Sequence, residues 1–374
     1  MVATVDGDTV VFCYPDPGGR LRGVRLQQDV RLPGDRLDFV RAQDDWVLTV
    51  PRPDVDRMEY AFELQHHTGG SEWVTDPGNP ERVRGAFGDK SVLLMPGYAA
   101  PAWTSATPPR GERRDLQLPS RGLAHPVPAV LWSSAGLADD VEAPLLVVHD
   151  GPEYDALAGL TLFLDAMADA ARLPAMRAAL LAPVDRNETY SASPTYGRAL
   201  ALGLVPGLTR TVPTTLVLGM GASLGGLAML QSQRAHPGVF AGLYLQSSSF
   251  FHRVLDEQES GFGRFTRITA FVDGVLRAGA APDPVPVVMS CGLIEENVDN
   301  NRLMTRALQA QGYDTRLVEN RDVHTYTGWR DVFDPHLVDL VQRVVHGPAQ
   351  GSPAQRQSAQ GPSAQGPSAQ GPSA

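Results

Sequence analysis

Gly221-Ala222-Ser223-Leu224-Gly225 sets a serine among small residues in a G-x-S-x-G pattern. With 37 glycines in 374 residues, composition alone supplies roughly 0.2 such matches, so the flanks decide. An apolar run, Thr215-Leu216-Val217-Leu218, leads in, and a helix-forming run, Leu227-Ala228-Met229-Leu230, leads out. Strand, sharp turn and helix together lift a serine hydroxyl out of a sheet as a nucleophile. Such a turn strains the serine backbone and needs small neighbours, which Gly221, Gly225 and Gly226 supply. The Leu224 N–H, at a helix start, is placed to hold a developing oxyanion. A second donor is expected from the loop after Val148, His149-Asp150-Gly151-Pro152-Glu153. Pro152 has no N–H, which leaves Gly151 or Glu153. The competing reading is a phosphate-cradling glycine loop, but Leu224 stands where the third glycine of G-x-G-x-x-G would be.

A serine nucleophile needs a general base, and the base needs a carboxylate to fix its tautomer. In this arrangement the chain order is nucleophile, carboxylate, histidine. The strand expected at 284–289 is followed by Glu295 and Glu296. Residue type does not separate them, and either also suits the acidic start of a helix ahead of Arg302. Nine histidines are present. His336 and His346 fall on or beside the last helix, His66 and His67 in the N-terminal part, and His149 precedes the serine. His324 follows a strand expected at 315–319 and is selected by position.

These side chains need a rigid scaffold, and the apolar pattern describes one. Apolar runs at 129–132, 145–148, 179–184, 216–219, 242–245 and 285–289 read as buried strands. Helix-forming stretches separate them, the longest at 156–172. Continuous apolar strands with helices between predict a largely parallel sheet covered on both faces over 109–346, and together with the serine elbow they predict an α/β-hydrolase fold. Residues 1–108 differ. Short runs such as 9–12, 46–50 and 60–64, cut by Pro, Gly and Asp, predict a small β-sandwich. Asp76-Pro77-Gly78-Asn79-Pro80 is a turn cluster, and the Pro-rich stretch at 101–111 marks the boundary. Trp46, Trp73 and Trp103 can stack on sugars or fill the core, and the core is expected. Residues 347–374 repeat Ser-Ala-Gln-Gly-Pro, lack large apolar side chains and are expected to be disordered.

A net charge of −10 argues against a nucleic-acid partner, which calls for a basic patch. Two cysteines, Cys13 and Cys291, are too few for a disulfide framework. No basic-then-apolar leader opens the sequence and no apolar run is long enough to span a bilayer, so a cytoplasmic protein is expected. His149-Asp150 and Asp299-Asn300-Asn301 lack metal-ligand spacing, so neither metal nor cofactor is expected.

Over most of residues 1–346 the chain resembles the enterochelin esterases and the esterase family around them. The resemblance rests on the leading sandwich with its 76–80 turn, on His149-Asp150-Gly151, and on Asp185-Arg186 with Glu188. It rests further on the Gly-x-Ser-x-Gly-Gly elbow and on His324 followed by Trp329-Arg330. The family pattern Gly-x-x-Glu, matched by Gly292-Leu293-Ile294-Glu295, selects Glu295. Val323 departs from the glycine that often precedes the family's histidine. The resemblance implies an early-set immunoglobulin-like sandwich ahead of the hydrolase. It also implies a serine carboxylic-ester hydrolase acting through an acyl-enzyme on a small-molecule ester, a ferric siderophore trilactone. Arg186 and Trp329 would bind substrate beside the nucleophile. For Arg186 the alternative is an ion pair with Asp185 or Glu188. Feruloyl or acyl-sugar esterases, acyltransferases and a non-catalytic binding protein on the same scaffold are the competing functions.

Overall fold

The computed structural model describes residues 3–30, 32, 36–85 and 88–347. Its first ninety or so residues form two antiparallel sheets. One orders its strands β1 (Thr4–Asp6), β2 (Thr9–Pro15), β5 (Asp45–Pro51) and β4 (Val40–Ala42). The other runs β3 (Leu21–Gln28), β6 (Arg57–His66), β9 (Gly88–Leu94) and β8 (Arg82–Gly85), with β7 (Ser71–Val74) also on β6. Alternate residues of β2, β5 and β6 turn into one shared core, as period-2 side chains must when a sheet has one dry face. Phe62 sits at its centre, with the rings of Phe12, Tyr14, Phe39 and Tyr60 between 5.0 and 6.4 Å from one another or from it. The 76–80 turn forms as expected. Asp76 Oδ1 accepts from Gly78 N at 2.8 Å, while Oδ2 accepts from the Tyr60 hydroxyl at 2.6 Å.

The second part is an eight-stranded mixed sheet. Its strands are β10 (Glu112–Leu118), β11 (Val127–Ser133), β12 (Ala143–His149), β13 (Arg177–Leu181), β14 (Thr214–Ala222), β15 (Gly242–Gln246), β16 (Val287–Gly292) and β17 (Thr315–Asn320). In space they run β10-β11-β13-β12-β14-β15-β16-β17. β11 is antiparallel to both its neighbours, and every pair from β13 onward is parallel. The expected parallel sheet is therefore extended by an antiparallel edge. β12 shows why these strands read as unbroken apolar runs. Leu145 and Val147 face one buried cluster, Leu146 and Val148 another, so both faces are dry.

Among the described residues the α-helices are, in chain order, α1 (Gly151–Ala158), α2 (Leu160–Asp169), α3 (Arg186–Thr189), α4 (Pro194–Ala199), α5 (Val205–Thr211), α6 (Leu224–Ala235), α7 (Phe265–Arg277), α8 (Val298–Ala310), α9 (Tyr326–Arg330) and α10 (Phe333–His346). Tyr154, Phe163 and Phe333 bring α1, α2 and α10 onto one face of the sheet. Tyr196, Leu208, Leu227, Ile268 and Met304 bring α4 to α8 onto the other.

Two expectations change. The single helix at 156–172 is two helices, because Gly159 adopts φ 64° and ends α1 before α2 begins. Trp46 and Trp103 are buried, but Trp73 is 66% exposed on the short strand β7, which among the described residues pairs only with β6. Trp103, in the Pro-rich crossing, packs on Phe163 and Phe333 of the second part. The repeats at 348–374 lie outside the described residues. No helix among the described residues is long and apolar enough to cross a membrane.

Phe62→Ala empties the centre of the sandwich and is expected to cost about 3–5 kcal/mol. Urea unfolding followed by circular dichroism would register this as a lower midpoint.

Candidate active site

β14 ends at Ala222 and α6 begins at Leu224, so Ser223 is the whole of the connection. Its backbone is forced to φ 54°, ψ −127°, a conformation that costs a non-glycine residue free energy and needs the surroundings to impose it. The surroundings do so through contact. A Cβ on Gly221 would lie 2.6 Å from the Gly225 carbonyl carbon, and one on Gly226 would lie 2.1 Å from Ser248 Oγ. The expected need for glycines here is thus steric. His149 staples the start of α6: Nδ1 bonds the Gly225 carbonyl at 2.9 Å, Nε2 meets the Tyr196 hydroxyl at 2.8 Å, and the ring stacks on Tyr190. Burial holds the His149 pKa down at about 4, so the ring stays neutral.

His324 lies between β17 and α9, and Glu295 between β16 and α8. His324 Nδ1 donates to Glu295 Oε2 at 3.0 Å. The other carboxylate oxygen, Oε1, accepts from Gly292 N and from Ser247 Oγ, each at 2.7 Å. Ser247 Oγ in turn accepts from Trp329 Nε1 at 2.9 Å. Of the two glutamates left open by sequence, Glu295 is the one turned inward. Glu296 lines the same cavity. Burial opposes a charge on His324, but the hydrogen bond and charge of Glu295, reinforced by Glu296, outweigh it and raise the imidazole above its ordinary 6.5.

Ser223 and His324 line the same two lobes of one cleft. The larger, about 590 Å³, is walled by Arg186, Glu153 and Tyr326 and, from the sandwich, by Arg84 and Lys90. The smaller, about 190 Å³, includes Leu224, Phe251 and Phe262. The serine and histidine are not hydrogen-bonded to one another in this structure. Ser223 Oγ instead meets Ser249 Oγ at 3.1 Å. A hydroxyl beside an imidazole that a carboxylate orients can lose its proton to that ring once it turns toward it, and resting sites are often looser than reacting ones.

Leu224 lies in the first turn of α6 and borders the smaller lobe. Gly151 opens α1, but its neighbours Asp150 and Glu153 line the cavity and it does not. Trp329 borders the cavity while being only 6% exposed, with its ring edge-on to His324. Arg186 corrects an expectation. Its partner is neither Asp185 nor Glu188 but Asp150, reached through two bonds of 2.9 and 2.8 Å. Glu188 is taken by Arg264 and Arg267, and Asp185 caps α3. Sequence gives no role to Ser247, Ser249 or Tyr326. The triplet Ser247-Ser248-Ser249, directly after the strand beside the elbow, was the available signal.

No protein-family model and no curated protein matches this chain. Solved structures share its fold. An enterochelin esterase from Shigella flexneri is 19% identical with a TM-score of 0.70, over 92% of this chain and 96% of that one. A ferric enterobactin esterase from Salmonella typhimurium is 19% identical with a TM-score of 0.70, over 90% and 94%. A ferulic acid esterase is 14% identical with a TM-score of 0.52, over 63% of this chain and 99% of that one. At these identities the likeness is one of fold.

The His324–Glu295 contact has a titration signature. NMR of the imidazole should give a pKa above 6.5 in the wild type and a lower one in Glu295→Gln. Because the folded value is raised, this contact stabilises the fold fully below the unfolded pKa, and its contribution is lost as pH rises through the folded pKa.

Proposed function

We propose that the chain is a serine carboxylic-ester hydrolase working through an acyl-enzyme, with Ser223 as nucleophile, His324 as general base and Glu295 as the carboxylate that orients it. One observation carries the reading: a serine held at φ 54° shares a cleft with a histidine whose Nδ1 is already bonded to a buried glutamate. Ser223 Oγ adds to the ester carbonyl carbon as its proton passes to His324 Nε2. The carbonyl oxygen becomes an oxyanion held by the Leu224 N–H and by an N–H of the first turn of α1, where Glu153, unlike Gly151, lines the cavity. As the tetrahedral centre collapses, the alcohol leaves with the proton from His324. Water then repeats the sequence on the acyl-serine and releases the acid.

The substrate is a bulky ester of the siderophore trilactone class, as for the enterobactin esterases of similar fold. Two features support this over a feruloyl ester. The likeness to those enzymes runs through the sandwich as well as the hydrolase part, whereas the ferulic acid esterase spans 63% of the chain. The sandwich also contributes Arg84 and Lys90 to the wall of the larger lobe. On this reading residues 1–108 are an immunoglobulin-like sandwich that completes the substrate site, and 109–346 are the catalytic domain. Trp329, through Ser247, steadies the acid and borders the substrate.

A serine-directed fluorophosphonate should label the wild type and not Ser223→Ala, which should lose roughly 10⁴–10⁶ in kcat on p-nitrophenyl esters. Equal labelling and turnover in both proteins would remove Ser223 from the mechanism. Because the base must be neutral, kcat/KM should rise with pH through a pKa above that of an ordinary histidine. A screen of trilactones, feruloyl esters and acyl-sugars then ranks the substrates, and preference for a feruloyl ester would overturn the trilactone assignment.

A further inference from the structure

The loop that carries His324 is held from outside the hydrolase sheet. Arg57, on β6, is 2% exposed. Its guanidinium donates to Glu59 Oε1 at 2.8 Å on its own strand and to Thr325 Oγ1 at 3.0 Å, and pairs with Asp322 Oδ2 at 2.8 Å. Asp331 lies 3.7 Å from Nε and is shared with Arg330 and the Tyr98 hydroxyl. Asp322 and Thr325 flank His324 in sequence. Each also locks its own backbone: Asp322 Oδ1 accepts from Val323 N at 2.8 Å, and Thr325 Oγ1 accepts from Gly328 N at 3.1 Å. Between them, Val323 is buried in the hydrophobic core of the sandwich.

We propose that Arg57 is a positioning residue for His324: from the sandwich, its guanidinium grips the loop on both sides of the histidine and sets the imidazole against Glu295 and Ser223. This rests on His324 being the general base. A guanidinium suits the task because it is a flat fork that meets several acceptors at fixed angles, whereas an ammonium is a point charge that follows one partner at a time. Burying that fork is costly unless acceptors meet it: Glu59 takes one terminal nitrogen and the loop takes the other, while Nε has only the Asp331 carboxylate at 3.7 Å. The cluster is also acid-rich. Burial pushes the Asp322 carboxyl up to about 7 against the pull of Arg57, with Asp331 and Glu59 adding to the rise. Without the guanidinium, three carboxyl groups would face one another behind the histidine.

The test uses the full chain carrying Arg57→Lys or Arg57→Met, with His324→Ala as reference. Steady-state kinetics on p-nitrophenyl esters are read beside thermal unfolding. Arg57→Lys keeps the charge but not the fork. It is expected to fold, to lose roughly 10-fold or more in kcat and to hold KM within about threefold, since small misplacements of a reacting group cost rate before binding. Its acidic limb of kcat/KM should move to lower pH, because a loosened His324–Glu295 contact no longer raises the imidazole. Arg57→Met should lose more, about 100-fold. If Arg57→Met does not fold, Arg57→Lys alone decides. A folded Arg57→Lys protein with wild-type kcat and pH profile would overturn the proposal. A lowered melting temperature with an unmoved pH limb and unchanged kcat would do the same, because it would mark a purely structural arginine. Wild-type turnover by His324→Ala would instead strike the esterase reading itself, so the two failures are told apart.

Discussion

The geometry of this molecule depends on a backbone conformation that serine does not favour. Ser223 is held at φ 54° where the elbow is packed so closely that Gly221 and Gly226 leave no room for a Cβ. The cost is met by the two apolar faces of the sheet, which hold strand and helix in place on either side of the turn. The same crowding brings His149 and Asp150, from the end of β12, against Gly225, where an added Cβ would lie 3.1 Å and 3.3 Å from them. The elbow is therefore where two strand ends and a helix start are forced together, and the cleft opens above it.

Around the elbow, each polar side chain comes from the carboxyl end of a parallel strand. Asp150 follows β12, Ser247 and Ser249 follow β15, Glu295 follows β16 and His324 follows β17. Parallel strands end at the same edge, so residues spread from Asp150 to His324 converge although four separate loops carry them. The last of these loops is anchored differently. Val323 enters the sandwich core and Arg57 meets the loop from β6, so the histidine's placement depends on two hydrophobic cores docking correctly.

Strand periodicity makes the sheet legible from sequence, because β12 to β16 bury both faces and so read as apolar runs without alternation. The elbow was legible for the same reason: its glycines are demanded by contact, and contact demands leave a fixed spacing. Chain order then led to His324. What stayed hidden were features set by side-chain direction across long separations. Residue types could not say whether Glu295 or Glu296 turns inward, since both precede α8 and only the 2.7 Å bonds from Gly292 and Ser247 settle which is held. Nor could they give Arg57 a partner 265 residues away in Asp322 (322 − 57 = 265). The break at Gly159 was readable in principle, but a single glycine in an Ala/Leu run is tolerated often enough that helix propensity hides it.

Arg186 shows how a side chain's meaning changes once its partner is known. As an unpaired cation at the cleft it would draw in anions. Held by two bonds to Asp150, it meets the cavity as half of a neutral pair, and an anionic ligand would have to compete with a buried carboxylate already in place. The pair is better matched to shape than to charge. Asp150 is itself at φ 50°, and the next residue, Gly151, lies so close to β13 that a Cβ would come within 2.3 Å of the Leu180 Cα. A turn this tight is held on one side by the backbone of β13 and on the other by the arginine fork. The bridging guanidinium therefore fixes the start of α1 beside the elbow.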